Sequence, residues 1–421
     1  MSVSVWQQRP GKADHFRCDV AVIGAGIVGA YTAFSLAAEG KQVALVESRF
    51  PAAGATGRNA GMSLMGAADN YATGVARFGR QGARHLWELT RENQAKTRSF
   101  VEKFQTPSVK SGSYILAIDE AESALLAEAY ALMRQDGFAV EFSKADPFGR
   151  GFGSAIMQPD DFGLDPVALV QALIEAAQPQ VKLFAPAEVF AIGRGNGGRL
   201  VVEARGITVE CDRGALCTNA YSPLISPYFA DKVAPKRAQI LLTAPLGRRV
   251  IDRLAYMNYG YEYFRQLEDG SFLLGGGRSY HRELEVGYDE MATGWLQATL
   301  EEILHKYFPD IAREAPIVRR WGGTMGFSVD GLPLAGQLPY VPGAFAPVEK
   351  PFVPAGEYET VPTPVDAEPS GIYFAVGFTG HGLGWGMVTA DAMLGMLLGR
   401  ASEAGLFDVR RLGNKTPGLP Y

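Results

Sequence analysis

The sequence predicts a mixed fold, α/β plus α+β, in which a nucleotide-binding half is interrupted by a second half of antiparallel strands. Three observations carry this. A strand, a glycine turn, a helix and a second strand closed by an acid follow one another between residues 17 and 61. Short strand-like runs parted by turns recur at 181–211 and again at 239–275. Apolar strands at 213–220 and 372–376 then return the chain to the first half, which is therefore discontinuous.

Residues 19–23 (DVAVI) form the short apolar run of a first strand. The turn is Gly24-Ala25-Gly26-Ile27-Val28-Gly29, and the helix after it runs to about Glu39 and stops at Gly40. Residues 43–46 give the next strand and Glu47 closes it. A dinucleotide site needs this order. Gly24 permits the tight turn, Gly26 lets backbone approach a pyrophosphate, and Gly29 lets helix and strand pack closely. The helix N-terminus offers free N–H groups and a positive dipole end to phosphates. Glu47 is placed to accept hydrogen bonds from an adenosine ribose. The alternative is a purely structural glycine turn.

Further along, 77–104 has the pattern of a long amphipathic helix, and a helix at 120–135 separates strands at 113–118 and 139–142. Residues 165–177 (DPVALVQALIEAA) make another helix, with Asp165 as cap and Pro166 in the first turn. Residues 181–184, 188–192, 200–205 and 207–211 read as short strands, and 239–243, 259–265 and 272–275 as antiparallel strands of a second sheet. A helix is expected at 291–307. Residues 338–370 are rich in proline and poor in periodicity, hence an irregular insertion: a surface excursion, an oligomer contact or a lid over the substrate entrance. The strand at 372–376 leads into GFTGHGLGWG and a helix to about 398.

The chain has 421 residues, 47% hydrophobic and 11% aromatic, enough for two domains with large cores. Its net charge is −5, with no basic run longer than a pair such as Arg248-Arg249 or Arg319-Arg320, which excludes nucleic acid as an expected partner. The three cysteines, Cys18, Cys211 and Cys217, form no CxxC and no disulfide framework, which suits a reducing cytoplasm. The five histidines show no metal-ligand spacing, so no metal is expected. Residues 1–17 lack an apolar signal core, and no apolar stretch reaches membrane-spanning length.

Six stretches in order resemble the FAD-dependent amine and amino-acid oxidoreductases of the D-amino-acid oxidase, glycine oxidase and sarcosine oxidase type, closest in flavour to the gamma-glutamylputrescine oxidoreductase-like branch. They are VAVIGAGIVG with Glu47, GATGRNAG at 54–61, LDPVALVQAL at 164–173, CTNAYS at 217–222, WGGTMGFSVDGLPLAG at 321–336 and GFTGHG at 377–382. Trp6 also fits that branch. The resemblance implies a Rossmann-like FAD-binding domain (18–90, 155–225 and 321–400) and a discontinuous substrate domain built on a large antiparallel sheet (91–154 and 226–320), with the flavin at their junction. It implies non-covalent FAD, since no cysteine lies beyond Cys217. Gly24, Gly26, Ile27, Val28 and Gly29 would face the pyrophosphate, Glu47 and Ser48 the ribose, and Val189 the adenine. Thr56, Gly57, Arg58, Asn59, Ala60, Gly61 and Met62 would run past pyrophosphate and ring. Arg58 is otherwise a surface arginine in a glycine loop. Gly322, Gly377, Thr379, Gly380, His381, Gly382 and Leu383 would complete the cofactor site, the 380–382 backbone stabilising negative charge at the N1–C2=O edge of the reduced ring. His381 either sits beside the flavin or is a buried histidine holding its loop.

The implied reaction removes hydride from the carbon beside an amine, gives an imine that hydrolyses, and passes electrons to O2 or another acceptor. The substrate is a small amine or amino-acid-like molecule. Tyr256, Tyr259, Tyr261, Tyr263, Phe264 and Trp321 are candidate walls of a dry pocket; strand alternation would set Tyr259, Tyr261 and Tyr263 on one face, or else the tyrosines simply pack the sheet. Arg265 and His381 join Tyr259, Tyr261 and Trp321 as catalytic candidates. Where glycine oxidase-like relatives carry a carboxylate-binding arginine, this chain has Met325, and no arginine follows Gly382. That leans toward an amine without a nearby carboxylate, with Arg265, Arg278 or Arg58 as replacement charges. Leu273 falls at the place of the oxygen-activating lysine of sarcosine oxidases. Alternative readings are an NAD(P)-dependent dehydrogenase, a flavin-bearing subunit of a multi-component amine, opine or amino-acid dehydrogenase, and a D-amino-acid dehydrogenase feeding quinone. An oligomer is compatible with all of them.

Overall fold

The computed structural model describes residues 14–67, 69–195, 197–339 and 370–413. A six-stranded sheet runs in the order Val181–Phe184, Val43–Val46, Val20–Ile23, Arg213–Leu216, Ile372–Val376, Leu334–Gln337. Every neighbouring pair is parallel except the last. Val20–Ile23 and Val43–Val46 are wholly buried, as continuous apolar strands covered on both faces must be. The helices Ile27–Ala38, Tyr71–Phe104, Pro166–Ala176 and Gly382–Leu397 cover one face. A four-stranded sheet of Asp14–Arg17, Ile207–Cys211, Leu200–Ala204 and Val189–Arg194 covers the other. The chain leaves Val20–Ile23 to one side first and returns on the other side later. This is a topological switch point, where a crevice opens beyond the strand ends.

Asp165 caps its helix by accepting from the N–H groups of Val167 and Ala168, with Pro166 in the first turn. The helix Tyr71–Phe104 begins earlier than its amphipathic pattern, at an Asn70 cap, and is broken at Gly79 (φ 71°). Its first turn is fixed by burial instead: Tyr71 and Ala72 are in the core and Gly74 lies against the Trp87 ring.

The second half is an eight-stranded sheet in the order Ile317–Ser328, Val233–Thr243, Phe272–Gly276, Glu262–Gln266, Leu254–Met257, Ser113–Leu116, Ala155–Gln158, Glu141–Ser143. It is antiparallel apart from the pairing of Leu254–Met257 with Ser113–Leu116. The boundaries expected at 155 and 321 therefore fall inside this sheet, and that at 90 falls inside the helix Tyr71–Phe104. Most of the 338–370 stretch, and Trp6, lie outside the described residues. One sheet face packs on the helices Gly294–Tyr307 and Pro309–Glu314. The other is turned to the nucleotide-binding half.

The strand expected at 259–265 is corrected. Leu254–Met257 and Glu262–Gln266 form a hairpin, and Asn258, Tyr259 and Gly260 are its turn, with φ of 51°, 55° and 79°. Asn-x-Gly supplies the left-handed residues a tight turn needs, and that outweighs the tyrosine alternation.

On the helix-covered face Phe308 is fully buried, with ring centroids 4.8 Å from Phe264 and 4.7 Å from Phe272. Phe308→Ala should cost about 3–5 kcal/mol, read as a lowered denaturant midpoint. An unchanged midpoint would show that this cluster does not hold the sheet.

Candidate active site

The glycine turn is built by close approach. A Cβ on Gly29 would stand 1.8 Å from the Gly24 carbonyl oxygen, and one on Gly24 (φ +99°) 2.7 Å from the Cys217 carbonyl oxygen. Gly26 differs: its nearest neighbour would be the Thr56 hydroxyl at 3.0 Å, so its front stays open to a ligand. The helix Ile27–Ala38 starts without a side-chain cap. The Ile27 N–H donates to Thr56 Oγ1 (3.1 Å), and Val28 is buried behind it. Glu47 sits beside the turn, accepting from the Ala25 N–H (2.9 Å), the Ser48 hydroxyl (3.0 Å) and the Arg49 N–H (2.9 Å). Its carbonyl accepts from the Ala187 N–H at 2.7 Å, which brings half-buried Val189 alongside. These groups can cradle an ADP moiety: a helix dipole for phosphate, an acid for ribose and an aliphatic edge for adenine.

Residues 54–63 pass from this turn to the second sheet. Ala55–Arg58 is a single helical turn, and a Cβ on Gly57 would stand 2.4 Å from the Ala52 carbonyl oxygen. The Arg58 guanidinium is engaged by protein: it donates to the carbonyls of Ala53 (3.1 Å) and Gly322 (2.9 Å) and pairs with Glu290 at 2.8 Å. Glu290 also pairs with Arg49 (2.6 Å) and accepts from the Tyr221 hydroxyl (2.8 Å). Trp321 Nε1 donates to the Arg58 carbonyl at 2.9 Å. Gly322 turns its open side to the backbone of Glu290 and Met291, so its place in the site is as acceptor for Arg58. Asn59 Oδ1 accepts from the Gly61 N–H (2.7 Å). Arg265, 6% exposed, donates to the carbonyls of Ala60 (3.2 Å) and Gly61 (2.6 Å). Burial pushes its guanidinium down to about 10. Arg265 thus holds the loop that delivers Met62 to its pairing with Gly163.

The late loop docks on the edge of the same sheet. The Thr379 N–H donates to the Gly326 carbonyl (2.8 Å), and the Gly377 N–H to Asn219 Oδ1 (3.1 Å). Gly377 and Gly380 have φ of +76° and +82°. His381 occupies the cap position of the helix Gly382–Leu397, which has no side-chain cap, and buried Leu383 offers its carbonyl to Asn93. His381 Nδ1 lies 3.2 Å from the Thr379 carbonyl, whereas Nε2 is buried without a partner among the described residues. Burial holds its imidazole below the ordinary value. An orphaned nitrogen and an uncapped helix end, both beside Gly380, fit the polar edge of a flavin ring.

The aromatic wall is narrower than the sequence implied. Tyr256 stands 6.0 Å from His381 and 5.9 Å from Tyr263, ring to ring, above Met62, Leu64 and Leu254. Tyr259, 42% exposed at the hairpin tip, lines the cleft together with Tyr256, Met65, Trp87 and His381. Tyr261 accepts from Arg282 at 2.7 Å under that residue's cation, away from this cleft. Trp321 is engaged with Arg58. The residues the sequence reading missed are Glu290 and Arg49; nothing local marks them, because their partners are distant in the chain.

Three cysteines lie buried in the nucleotide-binding half, with burial pushing the Cys18 thiol up to about 11 and Cys211 and Cys217 to about 12. None lines the cleft. Among the described residues no His, Cys, Asp and Glu group has metal-binding geometry, and no helix is long and apolar enough to cross a membrane.

Gly29→Ala should yield protein without bound flavin, while Gly54→Ala, where an added Cβ meets nothing within 4 Å, should keep it; the flavin-to-protein absorbance ratio decides. A pH effect follows from His381. Its folded pKa lies below the ordinary 6.5, so the unfolded chain takes up a proton first as pH falls. Stability is therefore lost as pH drops through about 6.5 toward the folded value. Thermal unfolding at about pH 7.5 and pH 5.5 should show a larger loss for the wild type than for His381→Gln; equal losses would remove His381 as the cause.

Comparison with known proteins agrees with this geometry. A probable oxidoreductase, OrdL, of Rhizobium meliloti is 24% identical over 342 residues, 76% of each chain. Gamma-glutamylputrescine oxidoreductase of Escherichia coli is 24% identical over 352 residues, again 76% of each. The fold matches glycine oxidase from Geobacillus kaustophilus at a TM-score of 0.74 and 19% identity, covering 94% of this chain and 99% of that one. It matches L-proline dehydrogenase from P. horikoshii at 0.73 and 20%, covering 95% and 98%. The model of the DAO family, described as FAD dependent oxidoreductase, matches residues 19–395. FAD is accordingly its cofactor, and the chain belongs to the DAO family of FAD-dependent oxidoreductases.

Proposed function

We propose that the protein oxidises the carbon–nitrogen bond of a primary or secondary amine or an amino-acid-like substrate, giving an imine that water converts to a carbonyl compound and the free amine or ammonia. Bound FAD supplies the hydride acceptor, N5. The observation that carries the reading is the pairing of Tyr256 and Tyr263 across from His381. Both rings are half-buried, and desolvation pushes both phenols well above their ordinary range. A dry wall disfavours an ammonium and favours the neutral amine, the form that can release hydride. His381 is held neutral by the same burial and adds no competing positive charge. The substrate nitrogen loses its second proton to solvent as the imine forms.

The residues proposed to hold the cofactor divide by segment. Gly26, Ile27 and Val28 meet the pyrophosphate, and Glu47, Ser48 and Val189 the adenosine. Thr56 through Met62 would hold the ring system, and Gly380, His381 and Gly382 would offer it backbone N–H groups and a helix end. Gly24, Gly29, Gly57, Arg58, Gly322, Gly377, Thr379 and Leu383 shape these segments. Attachment is non-covalent, and Arg265 positions the loop rather than meeting substrate. Gamma-glutamylputrescine oxidoreductase, glycine oxidase and iminodiacetate oxidase, all similar to this chain, bear names that point to nitrogen compounds, which supports the substrate class.

Anaerobic mixing of the FAD-loaded protein with a panel of amines and amino acids should bleach the flavin absorbance for at least one of them and leave it intact with the matching alcohols. No bleaching by any amine sinks the reading. Acid precipitation should leave the yellow colour in the supernatant. Peroxide formed on admitting air identifies O2 as the acceptor.

A further inference from the structure

The cleft lined by Tyr256 and His381 extends past them to a part that the proposed reaction does not use. Leu254, Ser113 and Gln158 stand in register across neighbouring strands, and so do Tyr256, Ile115 and Ile156. Residues in register share a face, as do residues two apart on one strand. Gln158 therefore lies on the cleft face, two strands across from Tyr256, or about 10 Å at the usual strand spacing. The helix Glu120–Gln135 closes that end with Glu122, Leu126 and Met133. Met65 marks the same separation from the other wall. It lies three residues past Met62, its N–H donates to Asp161 (2.9 Å) and its carbonyl accepts from Gln158 (3.2 Å).

Two buried acceptors at this end lack the donor that burial calls for. Gln158 is 2% exposed. Both N–H groups of its amide are spent, on the Asp161 carboxylate (2.8 Å) and on the Met65 carbonyl. The remaining atom is the amide oxygen, and it is buried without a partner among the described residues. Glu122 is 1% exposed. Its oxygens accept from the backbone N–H groups of Ile118 (2.9 Å) and Tyr259. No cation pairs with it among the described residues, and the charge beside it is another acid, Asp119. Each carboxylate oxygen keeps a second lone pair, and a buried carboxylate ordinarily has a cation. Among the described residues no lysine or arginine lines the cleft, and the other carboxylate on its wall, Asp69, lies 3.6 Å from Arg77. What this end lacks is a cation with hydrogen-bond donors. Between it and Tyr256 the walls of Ile115, Ile156 and Leu126 suit methylene groups.

We propose that this end of the cleft receives a second, protonated amino group of the substrate, held by Gln158 Oε1 and the Glu122 carboxylate, so that the substrate is a diamine or a longer polyamine. The proposal rests on the reading of the protein as a carbon–nitrogen oxidoreductase. It separates two environments for nitrogen: the reacting amine, beside Tyr256 and Tyr263, is neutral, and the distant one keeps its charge. An ammonium has three donors, enough for the amide oxygen and the carboxylate together. A carboxylate brought to the same end would face Glu122 and the Gln158 oxygen, both of them acceptors.

The test is a calorimetric titration of the FAD-loaded protein, reduced and kept anaerobic so that no hydride can be accepted. Diamines from 1,3-diaminopropane to 1,8-diaminooctane are each compared with the alkylamine of the same chain length. At least one diamine should bind about tenfold or more tighter than its alkylamine, and the ω-amino acid of that length should not. Gln158→Met and Glu122→Gln should each remove roughly tenfold of this preference, with alkylamine binding and flavin content unchanged. If Glu122→Gln does not hold FAD, Gln158→Met decides. Equal binding of diamine and alkylamine at every length, an ω-amino acid that binds as tightly as the diamine, or a preference that survives Gln158→Met overturns the proposal. The titration needs no turnover. A diamine preference in a protein that no amine bleaches would remove the proposed reaction and keep this site; bleaching by alkylamines without the preference would do the reverse.

Discussion

The site depends on how residues 54–63 are suspended between two sheets. This segment must bridge from the glycine turn to the second sheet while leaving room for a flat ring. Arg265 makes that possible from the far side. Its guanidinium reaches out of the eight-stranded sheet to the carbonyls of Ala60 and Gly61, through space that exists because residue 163 has no Cβ; one there would lie 2.5 Å from the guanidinium. At the other end, Arg58 is fixed by Ala53, Gly322 and Glu290. Glu290 gathers Arg49, Arg58 and Tyr221 and so ties both halves of the molecule to one carboxylate. Paired in this way, its carboxyl stays below the usual range despite partial burial.

These anchors also set the electrostatic character of the cleft. Arg265, Arg278 and Lys236 form no ion pair among the described residues, and the uncapped end of Gly382–Leu397 adds a partial positive charge beside the cleft. Burial acts on both signs: it raises Asp161 to about 6 and Glu262 to about 7, and it lowers Arg265, Arg278 and Lys236. A ring that gains electrons beside that helix end is favoured by its partial charge.

The nucleotide-binding half was legible because its requirements are local. Strand, turn, helix and acid occur within a few dozen residues, and Gly24 and Gly29 each answer a contact that a Cβ would close. The helix Pro166–Ala176 was legible for the same reason, through its Asp165 cap. The second half was harder to read. Val233–Thr243 was expected to start at 239, because Pro235, Lys236 and Arg237 interrupt the apolar pattern; its pairing with the whole of Ile317–Ser328 makes it a strand. The tyrosine run misled for a related reason. Alternation says which residues share a face only while the chain remains a strand, and Asn258 to Gly260 turn it back on itself.

The same limit explains how a charge on a sheet face can hide from motif reading. A motif is read along one strand, but a substrate meets a sheet face, where the neighbour across the ladder is as close as the residue two positions on. Met325 and Lys236 are such neighbours. Placing the cation on one or the other puts charge over nearly the same patch of wall, provided its counter-ions are also absent. A missing arginine at 325 is therefore no evidence that the wall is uncharged. The face itself has to be assembled, and once assembled it presents Lys236 directly opposite Met325.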